Sequence, residues 1–316
     1  MTKNSLVYNC LIITLLTFTI SQSVHSQRIQ TRHSIAVWAA SGYANMIHDV
    51  ELALPYGGIG GLMGLGYEFN HGLFILKTGG EFDFKHVQNN LKPFRVEADM
   101  YDTEGDEVLF HYQFNRCVER YDIAYANIPV LLGIQFPNLY YFLAGGKFGI
   151  HLVGQARINS NLRTYGVYPQ FIDPFEEMPD HFYVGSKALK ASNPVGLNFN
   201  AIASFEFGKV IFPGKRNSRT HYRLAGFADY GLMNLNLNQI NGDGNIVRLP
   251  ISADGSSNVL DVQHNSLFTS NQMQDKTINS LLVGVKFTVL FDVGSELCNC
   301  WPEDNYKKKK SRRRRR

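Results

Sequence analysis

The chain has 316 residues, of which 18% are charged and 13% aromatic, with 16 Tyr, 22 Phe and 28 Gly. That length can bury a sizeable core, and so aromatic a composition excludes disorder along the whole chain. The net charge of +4 divides unevenly: without Lys3 and the nine cations of residues 307–316, residues 27–306 carry −6, an acidic body with a basic tail.

The chain opens with Lys3, an apolar stretch from Cys10 to Ile20 (CLIITLLTFTI) and a small polar stretch from Ser21 to Ser26. This order of regions defines a secretory signal peptide, with Val24 and Ser26 suited to the cleavage subsites, so residues 1–26 are expected to be removed. As a helix the apolar stretch would rise only about 16 Å, half of a bilayer core. The mature chain keeps Cys117, Cys298 and Cys300, an odd number, so disulfides cannot carry the fold. Cys298-Asn299-Cys300 has no neighbouring His to complete a zinc centre, and no metal site is assigned.

From there the apolar residues recur with period two, the mark of a strand with two unlike faces. Residues 33–44 form a weak first segment. In 59–69, Ile59, Met63, Leu65, Tyr67 and Phe69 oppose Gly60, Gly64, Gly66 and Glu68; in 73–86, Phe74, Leu76, Phe82 and Phe84 oppose Lys77, Glu81, Asp83 and Lys85. In 121–136, Ile128, Val130, Leu132, Ile134 and Phe136 oppose Tyr125, Asn127 and Gln135; in 140–157, Tyr140, Phe142, Phe148, Ile150 and Leu152 oppose Lys147, His151, Gln155 and Arg157. Segments 195–211 and 222–234 set Phe199, Phe205, Phe207, Leu224, Tyr230 and Leu232 against Asn200, Ser204, Glu206, Arg223 and Asp229. The last, 278–293, sets Val283, Val285, Phe287 and Phe291 against Ser280, Lys286, Thr288 and Asp292.

Eight such segments, an even number, suit a closed barrel, and in hydrocarbon a sheet must close because each unpaired backbone group costs several kcal/mol. The links near 70–72, 137–139 and 213–220 are short, whereas those at 45–57, 88–118, 158–194 and 235–277 are long. Tyr67, Phe69, Phe136, Tyr140, Tyr141 and Phe212 gather near strand ends, where an aromatic girdle belongs. The expected fold is all-β: an eight-stranded antiparallel up-and-down transmembrane β-barrel with short periplasmic turns and long extracellular loops. It occupies residues 27–296, followed by a periplasmic Cys-x-Cys and basic tail at 297–316.

Residues 123–154 (IAYANIPVLLGIQFPNLYYFLAGGKFGIHLVG) resemble the PorT-like outer-membrane β-barrel family of Bacteroidetes, through Ile128-Pro129-Val130-Leu131-Leu132 and Tyr141-Phe142-Leu143-Ala144-Gly145-Gly146. The resemblance implies an outer-membrane barrel; some members are similar to accessory parts of type IX protein secretion, and many have no assigned role.

The inward faces offer Lys77, Lys85, Lys147, Arg157, Arg223 and Lys286 against Glu68, Glu81, Asp83, Glu206, Asp229 and Asp292. An eight-stranded barrel is just wide enough for side chains to fill, and buried charges must pair, so these are expected to form a plug; a narrow channel is the alternative. His86, His111, His151 and His264, with Asp83, Asp99 or Ser160, lie where a rim enzyme would need them, but no spacing selects a triad. No catalytic residue or cofactor is assigned, and the reading is non-enzymatic. Function is expected in the loops: one is acidic around Glu97, Asp99, Asp102, Glu104, Asp106 and Glu107, another mixes Asp173, Glu176, Glu177 and Asp180 with Tyr168, Phe171, Phe175, Phe182 and Tyr183. The tail (Lys307, Lys308, Lys309, Lys310, Arg312, Arg313, Arg314, Arg315, Arg316) would lie in the periplasm, away from nucleic acid, facing anionic lipid or an acidic protein. The expected partners are outer-membrane lipids and proteins bound through loops and tail. The resulting function is an accessory or scaffold subunit of an envelope assembly.

Overall fold

The computed structural model describes residues 31–101, 105–171, 173–175, 187–194, 199–211, 219–235, 245–248, 262–270 and 276–295. The expected signal segment, Cys298, Cys300, the basic tail, Asp102, Glu104, Glu176, Glu177, Asp180, Phe182, Tyr183 and Phe212 lie outside them.

Among the described residues, each alternating segment contributes a strand. The strands are β1 (Thr31–His48), β2 (Ala53–His71), β3 (Phe74–Leu91), β4 (Phe94–Tyr101), β5 (Glu107–Gln135), β6 (Tyr140–Val167), β7 (Lys187–Pro194), β8 (Phe199–Ile211), β9 (Thr220–Gly231), β10 (Val247–Arg248), β11 (Gln263–His264) and β12 (Ile278–Ser295). Eight of them, β1, β2, β3, β5, β6, β8, β9 and β12, pair antiparallel in chain order, and β12 returns to pair with β1 from His48–Ile278 to Arg32–Ser295. The sheet is thus an eight-strand ring. β4 lies along the start of β5, β7 along the end of β6, and β10 pairs with β11.

Three of the expected long links, 45–57, 88–118 and 158–194, are largely extended chain among their described residues. β1 and β2 join across 49–52, β3 runs on to Leu91, and β5 and β6 are 29 and 28 residues long. Strict alternation of short and long links therefore fails, since the first outward link is shorter than the one between Ile211 and Thr220. The reason is that backbone pairing outlasts the apolar pattern: once two strands are in register, each further pair satisfies its N–H and C=O groups whatever the side chains. At the opposite end Gly72 takes a φ of 63° in the β2–β3 turn, a left-handed conformation that glycine adopts without a Cβ clash.

The ring is apolar outside and polar within. Ile59 and Leu65 are 67% exposed, Met63 62% and Val285 58%, while Glu68, Lys147 and Asn200 are fully buried inside. Two apolar clusters bracket the interior. Near the short turns Ile75, Leu131, Tyr141, Leu143, Val210 and Ala225 pack together; toward the other end a larger cluster runs from Trp38 and Leu282 to Phe110, Phe114, Tyr121, Val262 and Phe268. Trp38 fits because Gly64 stands opposite: a Cβ there would lie 2.6 Å from its ring.

Candidate functional site

The chemistry-bearing residues converge on a layer of charge inside the ring. Alternate residues on a strand share a face, so Glu81, Asp83 and Lys85 of β3 all point inward, as do Arg223 and Asp229 of β9. Lys147 on β6 donates to Glu81 Oε1 at 2.5 Å and to Asp229 Oδ2 at 2.7 Å; Glu81 also accepts from Trp38 Nε1 at 2.8 Å, and Asp229 from the Ser204 hydroxyl at 2.5 Å. Lys286 donates to Glu206 Oε2 at 3.1 Å, with the Tyr141 hydroxyl on Oε1 at 2.6 Å. Arg223 binds Glu68 at 2.5 Å and stacks over Tyr141, its guanidinium carbon 4.4 Å from the ring centre. Lys77 sits 4.3 Å above the Trp38 ring and 3.8 Å from Glu206, and Lys85 pairs with Asp83 at 2.9 Å.

Ten of the twelve residues assigned to this interior, five cations and five anions, are thus buried and joined into ion pairs. Asp292 sits toward the short-turn end, partly open, where it accepts from the Ser34 hydroxyl at 2.7 Å and lies 3.7 Å from His221 Nδ1. Arg157 is a correction. The β5–β6 pairing steps from Tyr125–His151 to Ala124–Val153, leaving Leu152 as an extra residue, and one extra residue turns all later side chains to the opposite face. Arg157 is therefore outside, 64% exposed, paired with Asp122 at 2.8 Å. Replacing Arg157 with alanine changes stability by no more than about 0.5 kcal/mol, measured as the denaturation midpoint in detergent. Tyr141 is also corrected, from girdle to interior ligand of Glu206.

The histidines do not assemble with their expected partners. His86 and Asp83, three residues apart on a strand, face opposite ways; His86 Nδ1 instead lies 2.5 Å from Asp122. His111 stacks on Tyr165 with Glu97 at 3.3 Å, His151 lies edge-on to Tyr125, Asp99 is exposed and Ser160 is buried. His264 has a different set of neighbours, which the sequence did not suggest. Its Nε2 lies 3.4 Å from Cys117 Sγ, close to Glu119, in an apolar pocket beyond the band of exposed aliphatic residues. Burial pushes its imidazole down to about 4, only partly offset by a bond to the Asn265 carbonyl.

No protein-family model matches the sequence, and a comparison with curated proteins finds no match. Among solved structures the chain is similar to Ail, the attachment invasion locus protein of Yersinia pestis, seen in complex with the heparin analogue sucrose octasulfate. The likeness covers 83% of this chain and 99% of that one at 11% identity, with a TM-score of 0.23. So distant a likeness adds nothing to the ring read from strand pairing. Residues 123–154 lie in one hairpin of β5 and β6: Ile128 pairs with Phe148 and Val130 with Gly146.

Proposed function

We propose that the chain is an outer-membrane β-barrel closed by its own side chains, acting as a non-enzymatic accessory or scaffold subunit of an envelope assembly. The observation that carries this reading is the inversion of its faces: rows of Ile, Leu, Val and Phe outside, ion pairs inside. A water-soluble protein rarely exposes apolar surface so continuously, whereas lipid demands it. Strand closure supports the same environment, because the ring pairs backbone groups that hydrocarbon would leave unsatisfied.

The plug follows from the layering. A solute would have to pass the Ile75–Leu143–Val210 cluster, separate Lys147 from two carboxylates and Arg223 from Glu68, and then pass the Phe110–Phe268 cluster. With its interior filled, the barrel serves as a rigid frame for the hairpin β5–β6, flanked by β4 and β7, and for the segment 262–270. Partners would meet these projections on one side and the basic tail on the other. The resemblance of residues 123–154 to PorT-like barrels favours an assembly related to type IX secretion. Reconstituted in planar bilayers, the purified protein shows no stable conductance steps, and affinity purification from native membranes recovers envelope proteins. Reproducible nanosiemens steps would make it a channel, and recovery of the barrel by itself would remove the scaffold role.

A further inference from the structure

One buried carboxylate stands apart from the charged layer. Glu119 of β5 is fully buried, yet no lysine or arginine among the described residues pairs with it. Its oxygens accept from the Leu267 backbone N–H at 3.1 and 3.2 Å and from the Tyr121 hydroxyl, all neutral donors. Glu68, Glu81, Asp83, Glu206 and Asp229 each have a cationic partner. A lone buried carboxyl avoids the cost of its charge either by holding its proton or by meeting a cation.

Two metal-binding groups share its pocket. Cys117, two residues earlier on the same strand face, and His264 from β11 are each 2% exposed, and the ligand atoms of all three residues lie within 4.8 Å of one another. His264 is oriented for coordination: its Nδ1 lies 3.0 Å from the Asn265 carbonyl, a bond that holds the proton on that nitrogen and directs the Nε2 lone pair toward Cys117. The surroundings are dry, with Phe94 and Phe114 edge-on to His264 and Phe268 stacked on Tyr121. The pocket lies beyond the lipid-facing band, since the outward faces near it carry Arg116, Arg120, Arg157 and Asn159.

We propose that Cys117, Glu119 and His264 bind a Zn²⁺ ion that clamps the 262–270 segment to the inner wall of β5. A tetrahedral zinc with bonds of about 2.0–2.3 Å places its ligands about 3.5 Å apart, close to the Cys117–His264 separation, so a small inward movement brings the three side chains to bonding distance and leaves the fourth position to a water molecule. Binding displaces the Cys117 thiol proton to solvent; a thiolate, a carboxylate and a neutral imidazole then balance the dication inside an apolar shell. Thiolate with imidazole selects zinc over calcium or magnesium, which require oxygen cages. A Cys–His nucleophile is disfavoured because all three groups are shut away from substrate. The inference does not depend on the scaffold reading, since the ligands meet whether the ring faces lipid or water.

The test uses the full mature protein without a histidine tag, folded in the membrane, extracted in detergent, loaded with equimolar zinc and then dialysed against metal-free buffer. Elemental analysis shows equimolar retained zinc, and cobalt substitution gives a thiolate-to-cobalt absorption band; both are lost in Cys117→Ser and His264→Gln. In case these variants fold poorly, the wild type is also treated with chelator. Protease cutting within 262–270 then increases, and zinc, not magnesium, reverses it. Wild type that retains no zinc, a cobalt band that survives Cys117→Ser but vanishes in Cys298→Ser/Cys300→Ser, or cutting indifferent to chelator each overturns the site.

Discussion

Lys147→Met lowers the folding stability of the chain by about 3–5 kcal/mol, the scale on which a buried ion pair fails when one partner is removed. Lys147 lies between Glu81 and Asp229, its ammonium at 2.5 and 2.7 Å from their oxygens and no part of it reaching solvent. Methionine fills much of the same volume, so the loss reports electrostatics rather than a cavity. Two carboxylates are then left facing each other without a cation. The measurement is the urea midpoint of the detergent- or lipid-folded protein, with heat-modifiable gel mobility as a second readout. The triple variant Lys147→Met/Glu81→Gln/Asp229→Asn recovers most of the loss, because the two amides can still accept from Trp38 Nε1 and the Ser204 hydroxyl without a net charge. If the single substitution is silent, water reaches the layer and screens it, and the closed plug is wrong.

The layer was legible in the sequence to the extent that period two holds unbroken. Lys77, Glu81, Asp83, Lys85, Glu206, Arg223, Asp229 and Lys286 sit on strands whose alternation continues through them, so face and neighbours follow from spacing alone. Arg157 lies past the extra Leu152, and a bulge leaves no mark in the residue types around it. The extension of β3, β5 and β6 was hidden for a related reason: polar residues such as Gln88, Asn90, Arg116 and Arg120 look like loop but pair backbone to backbone as well as valine does. Tyr141 reads as a girdle residue by type, but it alternates with the outward Tyr140 and Phe142, so period two turns it inward, where its hydroxyl donates to Glu206. The Cys117–His264 contact joins residues 147 positions apart through β11, a strand of two residues, which no local pattern announces.

Leu65→Arg tests the medium around the ring. Leu65 stands on the outward face of β2, 67% exposed, with Gly80 and Val37 beside it on the neighbouring strands, so the longer side chain meets no steric obstacle. In water, a substitution at such an exposed position is worth no more than about 0.5 kcal/mol. At the middle of a bilayer an arginine on the lipid face costs about 2–4 kcal/mol, falling toward zero near the interfaces. The expected result is a penalty of that size for Leu65→Arg, similar for Val285→Arg, and small for Tyr140→Arg beside the short turn, read from folding equilibria in lipid vesicles. That depth profile belongs to a slab of hydrocarbon and to nothing a soluble sheet presents. Uniformly small effects, with the protein remaining folded after detergent is withdrawn, would mean that the apolar rows face water or a protein partner, and the outer-membrane reading would fall while the ring and its charged interior remained.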